Sequence, residues 1–151
     1  MPVVGQHEDM ASSASAAPVT RSPVLTAFVA ATAVLALLVA VQALLAGRSI
    51  AGLGAIATHG HVGNASFVVG IVTLVLALLA RIPKRQLWLG VIVLVLLFVQ
   101  TGLGYIGRNN AEVAAWHVFL GVMTFAAVVL QHVGAIGLSR QARSASGSST
   151  S

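Results

Sequence analysis

Hydrophobic residues fall along the chain in four long runs, each bounded by charged positions. Arg21 and Arg48 enclose 26 uncharged residues, Arg48 and Arg81 enclose 32, Arg85 and Arg108 enclose 22, and Glu112 and Arg140 enclose 27. A helix needs about 20 mostly apolar residues to cross a bilayer. Each run therefore holds one span, and none holds two with a turn. The predicted spans are 24–46, 59–80, 87–107 and 112–138. Within them Ala, Val and Leu follow one another without strict apolar–polar alternation, which favours helices over a membrane β-barrel. The pattern predicts an all-α membrane protein, a four-transmembrane-helix up-down bundle over residues 23–138. Residues 1–22 and 139–151 are polar, rich in Ser and Ala, and expected to be disordered cytoplasmic tails.

The basic residues give the orientation. With four spans, Arg21, Arg81, Lys84, Arg85, Arg140 and Arg143 lie on one side, and Arg48 and Arg108 on the other. The side richer in Lys and Arg is cytoplasmic, which places both termini in the cytoplasm of a bacterial cytoplasmic membrane. Trp88, Tyr105 and Trp116 stand near span ends, where amphipathic rings favour the interface. The first apolar run is longer than a signal-peptide core, and the tail before it is weakly basic.

Composition narrows the function. Charged residues make up 7% of the 151 and hydrophobic residues 58%, whereas a soluble domain carries about 25% charged residues. A soluble globular enzyme and a disordered chain are excluded. The net charge of +5 is spread over single residues and one short loop, so no basic face for nucleic acid exists. The absence of cysteine removes disulfides, thiolate metal sites, iron–sulfur clusters and covalently attached haem.

The two halves resemble each other. Val41-Gln42, a glycine-rich connection and His59-Gly60-His61-Val62 match Val99-Gln100, a glycine-containing connection and Trp116-His117-Val118. Gln42 to His59 and Gln100 to His117 are each 17 residues, while the shared His-Val dipeptide matches His61 with His117 instead. Either alignment gathers Gln42, Gln100, His59, His61 and His117 in the outer leaflet. Spans 2 and 4 are diagonal partners in a sequential bundle, about 13 Å apart for interaxial distances of 8–10 Å. That gap suits a macrocycle held between two imidazoles, the ordinary ligands of b-type haem iron.

The expectation is one haem b per chain with His61 and His117 as axial ligands and His59 in reserve. Arg48 and Arg108 are placed to pair with the propionates. Gln42 and Gln100 are placed to bond a propionate, a ligand imidazole or a quinone head. A zinc site of His59, His61 and His117 is the competing metal arrangement, and the plainer one has no cofactor, with His59 and His61 as wetted interfacial residues and His117 as an interhelical hydrogen-bonder. His132 lies 15 residues beyond His117, roughly 22 Å deeper, with no histidine at that depth on another span. It is expected at the inner interface together with Gln131. Asn110 and Glu112 suit the start of the last helix as cap and dipole partner.

The segment Gln100-Thr-Gly-Leu-Gly-Tyr followed by Ala-Trp-His117 resembles the heme A synthase family, whose four-helix units carry haem-ligating histidines. The similarity covers about 24–138, one such unit where that family has two. The acidic residue of that family's first outer region has no counterpart between Asp9 and Glu112. The chain also looks like small four-helix actinobacterial membrane proteins of unknown function. The resemblance implies haem binding more than synthase chemistry. Three functions follow as expectations. One is a haem b electron-transfer protein, serving quinol or a respiratory partner. Another is a cofactor-free accessory subunit, packed against other membrane subunits or against itself. The third is a haem-handling protein similar to half of a heme A synthase. A stand-alone enzyme is the weaker expectation, as is a solute transporter with a midplane site.

Overall fold

The computed structural model describes residues 22–54 and 56–147. These residues form four α-helices and no strand: α1 Pro23–Ile50, α2 Ile56–Leu79, α3 Lys84–Ile106 and α4 Ala111–Gly147. A single 3-10 turn, Gly107–Asn109, lies between α3 and α4. All four helices are long and apolar enough to cross a membrane.

Local chemistry sets the helix ends. Ser22 caps α1, its hydroxyl accepting from the Leu25 amide at 3.1 Å, with Pro23 at the first helical position. The end of α1 is a Schellman turn. Gly52 takes φ 71°, while the Leu53 amide bonds the Arg48 carbonyl and the Gly52 amide bonds that of Ser49. The end of α2 repeats this pattern through Ile82 to Ala77 and Arg81 to Leu78, but there the left-handed position is Arg81, at φ 51°. Pro83 precedes α3, and its carbonyl accepts from the amides of Gln86 and Leu87. Asn110 caps α4 as expected, its side-chain oxygen accepting from Val113 at 3.1 Å.

The helices pack in a ring. α1 touches α2 and α4, α3 touches α2 and α4, and the diagonal pairs make no backbone contact. The buried positions show why. They run 25, 28, 32, 35, 39 on α1, 66, 70, 73, 77 on α2 and 90, 93, 97 on α3. On α4 they run 124, 128, 131, 135, 138, 142. Steps of three and four alternate throughout, the 3.5-residue period of left-handed bundle packing. Small residues at the seam draw the backbones together. A Cβ on Gly70 would lie 2.7 Å from Leu97 Cδ1. Outward positions carry large apolar side chains such as Leu37, Phe98 and Leu130, each more than 60% exposed. In a bilayer these meet lipid tails rather than water.

Two apolar clusters fill the interior. Leu25, Phe28, Ala77, Ile82, Ala135, Leu138 and Ala142 form one, and Leu35, Val39, Val93, Leu97 and Val128 the other. The first corrects the expected C-terminal tail. Residues 139–147 continue α4, because Leu138 and Ala142 extend its buried stripe onto Leu25, Phe28 and Ile82. The tail expected over 1–22 lies outside the described residues except for Ser22, as do residues 148–151.

Candidate functional site

Beyond the second cluster the stripe turns polar in the same register. On α1 Gln42 follows Val39 by three residues, and on α3 Gln100 follows Leu97 by three. On α2 and α4, His59 and His117 stand seven residues before Ser66 and Thr124. The three-residue steps are about one turn and the seven-residue steps one full heptad, two turns, so all four side chains face the interior. They line a cavity of about 440 Å³ to which every helix contributes.

The cavity is built on an internal two-fold. His59 to His117 is a spacing of 58 residues. Every lining residue except Ile56 and Phe125 pairs with another lining residue at that spacing, among them Gln42 with Gln100 and Gly63 with Gly121. This register settles the repeat. The counterpart of His117 is His59, not His61. Residues two apart on a helix face directions about 200° apart, so only one of His59 and His61 can enter the bundle. His61 is exposed and does not line the cavity.

The two imidazoles meet across the α2–α4 diagonal, with ring centroids 5.8 Å apart and planes at 79°. His117 is held by α3. Its Nδ1 lies 3.1 Å from the Gln100 carbonyl oxygen, and a carbonyl only accepts, so Nδ1 carries the proton. In the neutral ring this leaves Nε2 with a free lone pair. The Gln100 side chain answers by donating to the His117 carbonyl at 2.9 Å. Ring position is further fixed by Gly104, where a Cβ would lie 3.2 Å from His117 Cε1. The buried Nδ1 of His59 has no partner in hydrogen-bonding geometry. The side-chain oxygens of Gln42 and Gln100 are likewise buried and unpaired. A buried polar atom left unbonded costs about 1–3 kcal/mol. All three atoms belong to side chains that line the cavity.

Gly63 and Gly121 seat the glutamines. A Cβ on Gly63 would lie 2.5 Å from Gln42 Nε2, and one on Gly121 2.9 Å from Gln100 Nε2. Arg108 lines the cavity, with its guanidinium 5.1 Å above the Tyr105 ring. Arg48 does not, since it turns away to donate to the Leu53 carbonyl at 2.9 Å. No group of three or more His, Cys, Asp or Glu comes together among the described residues, so the three-histidine zinc arrangement is not assembled.

Composition hid a second polar belt between the two apolar clusters. Thr32, Thr73 and Gln131 are at most 1% exposed. The Thr32 hydroxyl donates to the Val29 carbonyl and stands 3.0 Å from His132 Nδ1. Gln86 donates to the Gln131 carbonyl at 2.6 Å. His132 and Gln131, expected at the inner interface, thus clamp α4 to α1 and α3 inside the bundle. The signal was available in the heptad register of position 131.

Compared with known proteins, the chain matches no family, no curated sequence and no solved structure.

Proposed function

We propose that the chain is a membrane-embedded haem b protein, with His59 and His117 as the two axial ligands. The carrying observation is the imidazole pair. Two rings in equivalent register stand 5.8 Å apart in a cavity shared by all four helices. The donor set fits the group. His117 has Nδ1 bonded to a backbone carbonyl, which in the neutral ring leaves Nε2 free, the usual arrangement behind a ligating histidine. When bound, haem supplies one-electron redox chemistry. The protein's part would be to present both imidazoles to the iron and Arg108 to the polar edge of the group.

The bundle is read as up-down in a bacterial cytoplasmic membrane, with both termini cytoplasmic. Six basic residues stand on that side against two on the other. The cavity then lies in the outer leaflet, where quinol or a respiratory partner would exchange electrons. The test is a dithionite-reduced minus oxidised spectrum of protein purified in detergent, with haem quantified per chain. A sharp reduced α-band at about one haem per chain is expected. A featureless spectrum from cells with ample haem would replace this reading with a cofactor-free accessory subunit.

A further inference from the structure

The internal two-fold of the cavity is broken at its rim. On α2, α3 and the 3-10 turn after α3 the rim carries Asn64, Thr101, Tyr105 and Arg108. The residues 58 positions away on α4 and α1 are Val122, Ala43, Gly47 and Ile50. One gap is polar and cationic, while its counterpart is wholly apolar. The polar side is organised: the Asn64 amide donates to the Tyr105 hydroxyl at 3.1 Å, and the Arg108 guanidinium covers the Tyr105 ring. Arg108 Nη2 also reaches α2, 3.3 Å from where a Gly60 Cβ would stand. The one carboxylate among the described residues is Glu112, so this mouth carries net positive charge.

We infer that the rim selects one of two otherwise equivalent orientations of an amphiphilic dicarboxylate macrocycle, with its carboxylates at the α2–α3 mouth on Arg108. This rests on the haem reading above. His59 and His117 are nearly equivalent by the two-fold, so the histidines alone cannot tell one edge of a planar group from the other. Asymmetry must come from the rim. A carboxylate edge beside Val122, Gly47 and Ile50 would lose hydration without a partner, which is costly. On the opposite side Arg108 offers a charge-assisted, two-pronged contact, with Tyr105 and Asn64 beside it. Arg108 is therefore a specificity-determining residue, and Arg48, in the last turn of α1 and outside the cavity lining, is not.

The experiment uses apoprotein in detergent, titrated with haem b and, separately, with its dimethyl ester, which keeps the iron and macrocycle but lacks the charges. Wild type is expected to bind haem at least tenfold more tightly than the diester. In Arg108→Gln that ratio should fall toward one, through weaker haem binding with diester affinity unchanged. Arg108→Lys should recover part of it, and Arg48→Gln should keep the wild-type ratio. Helical circular dichroism of each apoprotein confirms folding. Wild type that binds haem and diester equally, or a ratio that survives Arg108→Gln, overturns this inference and leaves the ligand assignment standing. Wild type that binds neither overturns both.

Discussion

Gln100 and His117 are bonded to each other twice across the α3–α4 interface. The Gln100 carbonyl receives His117 Nδ1 at 3.1 Å, and the Gln100 side chain donates to the His117 carbonyl at 2.9 Å. The first bond is made by backbone, so it survives any side-chain change at position 100. Gln100→Ala should therefore cost about 1 kcal/mol, the worth of one neutral hydrogen bond, while His117 keeps its proton on Nδ1. The counterpart, Gln42→Ala, has no such bond to lose and should cost less. Reversible unfolding of both variants in mixed micelles checks the order. Equal losses would mean that the Gln100 amide bond adds nothing.

The ligand pair makes a sharper forecast. His59→Ala and His117→Ala should each abolish haem retention. His61→Ala should leave it intact, because His61 is exposed and outside the cavity. His132→Ala should also leave it intact while weakening the bundle, since its contact is with Thr32. Haem content per chain after purification decides. A His61 variant that loses haem, beside a His59 variant that keeps it, would reverse the assignment.

These residues also show what was legible in the sequence. Four spans follow from apolar run length alone, because a bilayer imposes its thickness on any crossing helix. The polar cluster followed from the repeat. Which of His59 and His61 lines the cavity did not, because the His-Val dipeptide matches the letters while the helix matches the face. The spacing of 17 residues from the preceding glutamine held the answer, and Gly63-x-x-Ser66 against Gly121-x-x-Thr124 would have confirmed it. The reach of α4 to Gly147 was hidden by the Ser and Arg content after Leu138. Ala142 is buried in the cluster with Leu25, Phe28, Ala77 and Ile82, and a small apolar residue among polar ones carries little signal.

Gly121 should tolerate less than Gly63. A Cβ at either site meets a glutamine amide, at 2.9 and 2.5 Å respectively. The Gln42 amide has no bond tying it down, so in Gly63→Ala it can swing aside. The Gln100 amide can move only by giving up its bond to His117. Gly121→Ala should lose about 1–3 kcal/mol, the range for overpacking a core, and Gly63→Ala under about 1 kcal/mol. The closer predicted contact thus belongs to the milder variant, which makes unfolding of the pair a strict test.

Gln131 gives a prediction of opposite sign. Its side chain is 1% exposed and its Oε1 has no partner. Gln86 bonds the backbone carbonyl of residue 131, not its side chain. Gln131→Met keeps volume and flexibility while removing the unsatisfied oxygen. Stability should stay equal or rise by about 1 kcal/mol, with haem content unchanged. A clear loss of stability would show that the Gln131 amide has a partner, such as an internal water, that holds the belt together.

The turn after α2 offers a stabilising change far from the cavity. Arg81 occupies the left-handed position of a Schellman motif at φ 51°, the place that Gly52 fills after α1. A side chain there costs about 1–2 kcal/mol relative to glycine, offset in part by the extra freedom glycine brings to the unfolded chain. Arg81→Gly should therefore stabilise by somewhat under about 1 kcal/mol. Lys84 and Arg85 keep the connection basic, as the proposed orientation requires. Arg81→Ala serves as the control, because alanine keeps the strained φ while removing the same charge. If unfolding in micelles shows both variants gaining equally, relief of charge repulsion near Lys84 and Arg85 is the cause and backbone strain at Arg81 is not.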